Sequence, residues 1–179
     1  FRDTTTERHN WRDTKPPLSS WAIWEIFKET SDTTFLKEMY PKLVKYHNWW
    51  YTFRDYDKDG LCEFGSTDGS LIAAKWESGM DNAIRFDACK IVRGSNYSIN
   101  TESVDLNSYL AKEKEYLSKM AKVLKLSEHI KWEQEFNTLS DRIRNNFYDE
   151  NSGYFYDIDS ETGKFLNNAL GTEGWTPIW

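Results

Sequence analysis

No apolar run in this 179-residue sequence approaches the roughly 20 residues that a helix needs to cross a bilayer, so a helical membrane segment is not expected. The first residues, Phe1-Arg2-Asp3-Thr4, do not read as a signal peptide. Clustered Lys and Arg are missing too. The formal charge of -6 is spread over mixed signs with no basic stripe, and neutralising phosphates needs such a stripe, so nucleic acid is not an expected partner. Cys62 and Cys89 are the only two cysteines and stand too far apart for a CxxC metal or redox pair, although a disulfide between them stays open. What is present is a hydrophobic content of 39%, which excludes a disordered chain, over a length that suffices for one domain with a core. Aromatic residues reach 16%, with nine Trp. Rings are core material first, but this excess also suits a site that stacks on the flat apolar faces of sugars.

Helices dominate the reading of the chain. Pro17 suits a first helical turn, and the stretch from Leu18 to Lys28 is apolar almost all round, which predicts a helix buried among others. Ser31 or Asp32 can cap a second helix carrying Phe35, Leu36, Met39, Leu43, Val44, His47 and Trp50, which Pro41 must kink or restart. A loop-rich region spans Asp55 to about Thr101. A third helix follows from Ser103 to about Lys125, with Leu106, Leu110, Leu117, Met120, Ala121 and Leu124 opposite a solvated Lys and Glu face. Ser127 caps a fourth, with Trp132, Phe136, Leu139, Ile143 and Phe147 on one side. Tyr154 to Ile158 and Lys164 to Leu166, joined by a turn, form a short β-hairpin. Helices alternating between very apolar and amphipathic suit either a two-layer toroid or an ordinary bundle.

Two loops carry candidate chemistry. In the acidic loop 55–66, Asp55, Asp57, Asp59 and Glu63 stand at positions one, three, five and nine, with Gly60 at six and the Leu61 carbonyl at seven. That is the first part of the EF-hand ligand spacing for Ca²⁺, in which alternate groups converge on a hard cation and Gly permits the turn. Position twelve is Ser66 instead of Glu, so the loop is also readable as a solvated acidic turn. The second loop, 75–87, holds Lys75-Trp76-Glu77-Ser78-Gly79-Met80-Asp81-Asn82 and continues to Asp87. Cleaving a glycosidic bond needs one carboxyl kept protonated beside the leaving oxygen and a second carboxylate across the sugar. Trp76, Met80 and Phe86 are candidates to shelter such an acid, and Glu77, Asn82 and Arg85 to orient hydroxyls. A third group, Val104-Asp105-Leu106-Asn107, opens a helix, where Asp105 is equally explained by the helix dipole.

The run Trp76 to Asn82 resembles the acid-bearing motif of glycoside hydrolase family 63, the family of processing α-glucosidase I and related bacterial enzymes. The similarity extends, in the family's order, to Lys15-Pro16-Pro17, Met39 to Leu43, Trp49-Trp50, Val104 to Asn107 and Gly174-Trp175-Thr176-Pro177. The resemblance implies an all-α fold, part of an (α/α)₆ barrel with long loops and a short hairpin. It implies inverting cleavage of α-glucosidic bonds in an oligosaccharide, with Asp81 as general acid and a periplasmic or secreted location. It makes Trp76, Glu77, Asn82, Asp105, Asn107, Trp175 and Trp179 candidates for the sugar pocket, and it strengthens Ca²⁺ as a structural ion at the acidic loop.

The family's general base lies downstream of its Trp-Thr-Pro motif, and twelve helices make its barrel where about four are legible here. Residues 1–179 therefore read as one segment of a larger catalytic domain, expected to be inactive alone, with the base outside the chain and the rest of the domain as partner. Glu173, the one acidic residue near the C-terminus, reads better as part of a turn. A trehalase-like (α/α)₆ hydrolase shares Glu-Ser-Gly-x-Asp and is the nearest alternative. A carbohydrate-binding helical module without catalysis is the other.

Overall fold

A computed structural model describes residues 14–179 apart from 67, 95 and 169, so Phe1 to Thr4 lie outside the described residues. Among the described residues there are five α-helices: α1 (Ser19–Thr30), α2 (Thr33–Phe53), α3 (Leu71–Ser78), α4 (Val104–Val123) and α5 (His129–Phe147). The strands are β1 (Glu63–Gly65), β2 (Ser98–Glu102), β3 (Tyr148–Asp149), β4 (Tyr154–Phe155), β5 (Asp157–Asp159) and β6 (Phe165–Leu166). A four-stranded antiparallel sheet runs β1-β2-β5-β6, and β3 pairs with β4.

Local chemistry sets most of these limits. Asp32 caps α2 by accepting from the N–H groups of Thr34 and Phe35, both at 2.9 Å. The helix then runs through Pro41 as one element without a restart. The proline forfeits one backbone bond, while Tyr40 and Leu43 on either side are buried and hold the two halves in line. Ser70 caps α3 through Ala73 N–H, and Gly79 ends it in the left-handed region at φ 71°. The expected cap of α5 at Ser127 is not formed. Glu128 already has helical angles, and a tight turn from Leu126 to His129 leads into the helix instead.

The largest difference from expectation is an exchange of roles between two helices. α4, expected to be amphipathic, buries fourteen of its residues, whereas α1, expected to be buried, buries only Ser20 and Ile23. α4 lies between α1 and α2 on one side and α5 on the other. Its charged residues survive there because they are paired. Glu113 accepts from Ser20 Oγ at 3.0 Å and lies 3.0 Å from His47 Nδ1, and Lys114 meets Glu135 at 2.7 Å. Burial pushes Glu113 up to about 8 and holds His47 well below its ordinary value, and both shifts favour the uncharged form of the pair.

Two apolar clusters form the core. One joins Trp50, Phe64, Phe86, Leu106, Leu110 and Phe147; the other gathers Leu36, Tyr40, Leu43, Leu117, Met120 and Trp132. The region 55–101, expected to be loop, contains α3, β1 and most of β2. The hairpin is found with a changed partner. Asp157 and Ile158 pair with Leu166 and Phe165 as expected, but Tyr154 and Phe155 turn back onto Asp149 and Tyr148. Both cysteines remain free thiols.

Candidate active site

The segment expected to be a loop around Asp81 is the end of α3, a turn, and a 3₁₀ turn at Ile84–Phe86. Glu77 faces inward and is 3% exposed. Its carboxylate accepts from Arg54 Nε at 2.7 Å, Arg54 Nη2 at 2.8 Å and the Gly65 N–H at 2.6 Å. A Cβ at Gly65 would stand 2.7 Å from Arg54 Nε, so only glycine lets β1 lie this close to the pair. Four residues later Asp81 is exposed, and it forms no hydrogen bond or ion pair among the described residues. The turn beneath it is built by Ser78 Oγ, which accepts from Met80 N–H at 3.0 Å, and by Ala83 N–H donating to Met80 O at 2.9 Å. Lys75 and Asp87 close its base with an ion pair. The chain leading into α1 braces the same turn. Lys15 Nζ donates to Trp76 O, and Pro16 Cγ lies 3.4 Å from where a Cβ on Gly79 would stand, in packing contact with the turn.

On the far side of the turn, Arg85 is 2% exposed and holds two aspartates. Its Nη2 donates to Asp105 Oδ2 at 2.6 Å, and its Nη1 donates to Asp157 Oδ2 at 2.9 Å. Asp157 also accepts from Val104 N–H at 2.8 Å and so caps α4 from strand β5. Burial raises Asp157 to about 6, with Arg85 opposing that rise. Asn107 donates to Cys62 O at 3.0 Å and to Ser103 O at 2.9 Å, and accepts from Cys62 N–H at 2.9 Å.

These partners correct three of the expected sugar contacts. Glu77, Asp105 and Asn107 are withdrawn from the surface and hydrogen-bonded to protein groups: Glu77 and, through Arg85, Asp105 brace the turn that carries Asp81, while Asn107 ties Cys62 to the start of α4. Arg85, expected to orient hydroxyls, is likewise withdrawn from the surface, with Nη1 and Nη2 engaged by Asp105 and Asp157 and Nε without a hydrogen-bond partner among the described residues. Phe86 is fully buried against Phe64, with ring centroids 6.2 Å apart, and does not shelter Asp81. Asn82 and Trp76 remain on the exposed side with Asp81. Trp175, in the 3₁₀ segment Thr172–Ile178, and Trp179 after it are exposed too. Trp179 meets the rings of Trp21 at 5.7 Å and Tyr109 at 6.2 Å, forming an aromatic ledge on α1 and α4. Glu173 is buried beside Gly171.

At the acidic loop the carboxylates of Asp55, Asp57 and Asp59 bring oxygens within 4.8 Å of one another. Glu63, fully buried in β1, lies outside that converging trio, but the charges of Asp57 and Asp55 act on it. Sequence spacing missed Glu102, which lies opposite Glu63 in the β1–β2 register. Only strand pairing could have found it. Burial, reinforced by Asp57, pushes Glu63 up to about 10. Burial with Asp59 and Asp57 pushes Glu102 up to about 7. Asp55 Oδ1 and Glu63 Oε1 are buried without a hydrogen-bond partner among the described residues. Gly60 takes φ 87°, as the sharp turn requires. Arg142 from α5 meets Asp59 at 2.8 Å and offsets part of the charge. The donor set is all oxygen, negative and under-partnered, which fits a hard divalent cation. Position twelve departs from the EF-hand: Ser66 follows strand β1 and accepts from Gly69 N–H instead.

The mannosylglycerate hydrolase MGH1-like glycoside hydrolase domain matches residues 1–179 in full. The chain belongs to that family. Mannosylglycerate hydrolase MGH1 of Selaginella moellendorffii is 28% identical over 78 residues, 41% of this chain and 14% of that protein. The mannosylglycerate hydrolase of Thermus thermophilus is 31% identical over 78 residues, 41% of this chain and 17% of that protein. Among solved structures, a family 63 mannosylglycerate hydrolase of Thermus thermophilus in complex with glucose superposes with a TM-score of 0.76 at 18% identity. That match covers 99% of this chain and 50% of the other, so the chain spans about half the length of the solved relative. The likeness establishes the fold as part of an (α/α)₆ barrel, and the family 63 resemblance of the motifs agrees with the domain match. In barrel terms the exchange between α1 and α4 is a matter of neighbours. Among the described residues α4 packs against α1, α2 and α5, and α1 packs against α2 and α4.

Proposed function

We propose that this chain carries the general-acid side of an inverting glycosidase acting on α-linked hexosides, with Asp81 as the acid. The observation behind this reading is the contrast within one motif. Glu77 is locked into the fold by Arg54 and Gly65, while Asp81, four residues on, stands exposed and without a partner among the described residues, in a turn braced from both sides. A carboxyl that serves the fold is buried and saturated; one that serves a substrate is left open. In the reaction Asp81 gives its proton to the glycosidic oxygen as the bond from that oxygen to the anomeric carbon breaks. A water adds to the opposite face of the sugar, losing its proton to a second carboxylate about 6.5–9.5 Å away. We place that base beyond Trp179, so residues 1–179 alone should not turn over a nitrophenyl α-glycoside. Trp76, Asn82, Trp175 and Trp179 are the proposed sugar contacts, the exposed tryptophan rings offering stacking faces.

The motifs point to α-glucosidic bonds, and the relatives are mannosylglycerate hydrolases. A panel of mannosylglycerate, kojibiose, nigerose and trehalose with the full-length protein, read by NMR for the first-formed anomer, tests the proposal. Cleavage of one of them with inversion supports it. A retained anomer, or binding of sugar without cleavage, contradicts it, the latter in favour of a carbohydrate-binding module. Ca²⁺ is proposed at the acidic loop, held by Asp55, Asp57 and Asp59 with Glu63 and Glu102 behind them and the Leu61 carbonyl in the EF-hand position. It would supply charge neutralisation and rigidity there, not chemistry.

A further inference from the structure

The buried charges around Arg85 outnumber what packing alone requires. Arg85, Asp105 and Asp157 are each 3% exposed or less, and they come from three separate elements: the 3₁₀ turn Ile84–Phe86, the first turn of α4, and β5. The guanidinium joins all three. Arg85 Nη1 donates to Asp105 Oδ1 at 3.1 Å and to both oxygens of Asp157, at 3.1 and 2.9 Å; Nη2 donates to Asp105 Oδ2 at 2.6 Å and also reaches Met80 Sδ at 3.7 Å. Asp157 additionally holds Val104 N–H, and Asp105 holds Leu106 N–H at 2.9 Å. A buried ion pair is weak evidence of stabilisation, since apolar residues of similar volume commonly do as well. What such a cluster supplies is geometry. Arg85 fixes the turn at two points, through Met80 just before Asp81 and through its own backbone four residues after it. General-acid catalysis is sensitive to such placement, because about 1 Å of misplacement costs on the order of 100-fold.

We propose that Arg85, gripped by Asp105 and Asp157, is a positioning residue that sets the place of the Asp81 carboxyl against the leaving oxygen. Arg85 itself touches no substrate. The proposal rests on Asp81 being the acid, and the test separates the two ideas. Wild type, Asp81→Asn, Arg85→Lys and Asp157→Asn of the full-length protein are assayed on a methyl α-hexoside, whose leaving group needs a proton, and on the α-hexosyl fluoride of the same sugar, whose fluoride leaves without one. Lysine keeps the charge but cannot span both aspartates with a planar fork.

Arg85→Lys should lower kcat on the methyl glycoside by about 100-fold with little change in KM, and on the fluoride by less than about threefold. Asp157→Asn keeps the volume and the Asp105 contacts, so it should show the same selectivity with a loss of about tenfold, and it carries the test if Arg85→Lys does not fold. Equal losses on both substrates, or no loss from either folded variant, overturns the positioning role. Asp81→Asn tells which idea failed. If it spares the fluoride and abolishes methyl glycoside cleavage while the Arg85 and Asp157 variants show no selectivity, positioning alone is wrong. If Asp81→Asn itself shows no selectivity, the acid assignment falls, and the positioning proposal with it.

Discussion

Replacing Glu77 with Gln tests the division of labour between the two carboxylates of one motif. Among the described residues the wild-type carboxylate accepts three hydrogen bonds, two from Arg54 and one from Gly65. An amide of the same shape has one oxygen, so its NH₂ group must point at a donor, either Arg54 Nη2 or the Arg54 Nε and Gly65 pair. The substitution also removes the carboxylate that neutralises a guanidinium 1% exposed. Breaking a buried pair from one side costs about 3–5 kcal/mol. In a chain of this length each kcal/mol moves the melting midpoint by about 2–4 °C, so the midpoint should fall by roughly 6–20 °C. Asp81→Asn, at an exposed site without a partner among the described residues, should leave the midpoint where it is. Urea unfolding followed by Trp fluorescence, with thermal melts alongside, measures both. Glu77→Gln within about 1 kcal/mol of wild type, with an unchanged dependence on urea, would refute the bracing role. A loss from Asp81→Asn as large as that from Glu77→Gln would refute the contrast itself.

Two more predictions concern the buried charges. Because burial raises Glu113 to about 8, the folded state keeps a proton that the unfolded chain has already released, and stability should fall as pH rises from about 6.5 to 8, by up to ~1.4 kcal/mol per pH unit. His47, held below its ordinary value, acts with the opposite sign below about pH 6.5. Glu63 and Glu102 slope the same way as Glu113, so the informative quantity is the difference between wild type and Glu113→Gln, which should flatten the profile; identical profiles would contradict the uncharged pair. For the acidic loop, Ca²⁺ at 100 times its dissociation constant should raise the stability of chelator-treated protein by about 2.7 kcal/mol, and Asp57→Asn with Asp59→Asn should remove most of that gain. Calorimetric silence at millimolar Ca²⁺ would sink the site.

Much of the fold was legible where periodicity is local. The apolar stripe of α5, the cap of α2 at Asp32 and the pairing of Ile158 with Phe165 all follow from residues close in sequence. What escaped was set by distant partners. β1 is three residues long and exists because β2 lies beside it; α3 is eight residues long, capped at both ends but short of an obvious period. The burial of α4 depends on Ser20, His47 and Glu135 pairing with its polar side chains, none of them near in sequence. The same limit applied at the site. The family motif Trp76 to Asn82 and the Asp55, Asp57, Asp59 spacing were readable, but proximity in the motif put Glu77, Arg85 and Phe86 on the substrate side. Their inward orientation is dictated by Arg54, Asp157 and Phe64 from other elements.

Proton donation by Asp81 underlies every catalytic statement made of this chain, and Asp81→Asn in the full-length protein probes it without an intermediary, with turnover and sugar affinity measured on the same preparation. If Asp81 is the acid, kcat on an alkyl α-glycoside falls by about 100-fold or more while the dissociation constant for the sugar is unchanged. Turnover at the wild-type rate, or a loss confined to affinity, would contradict that role.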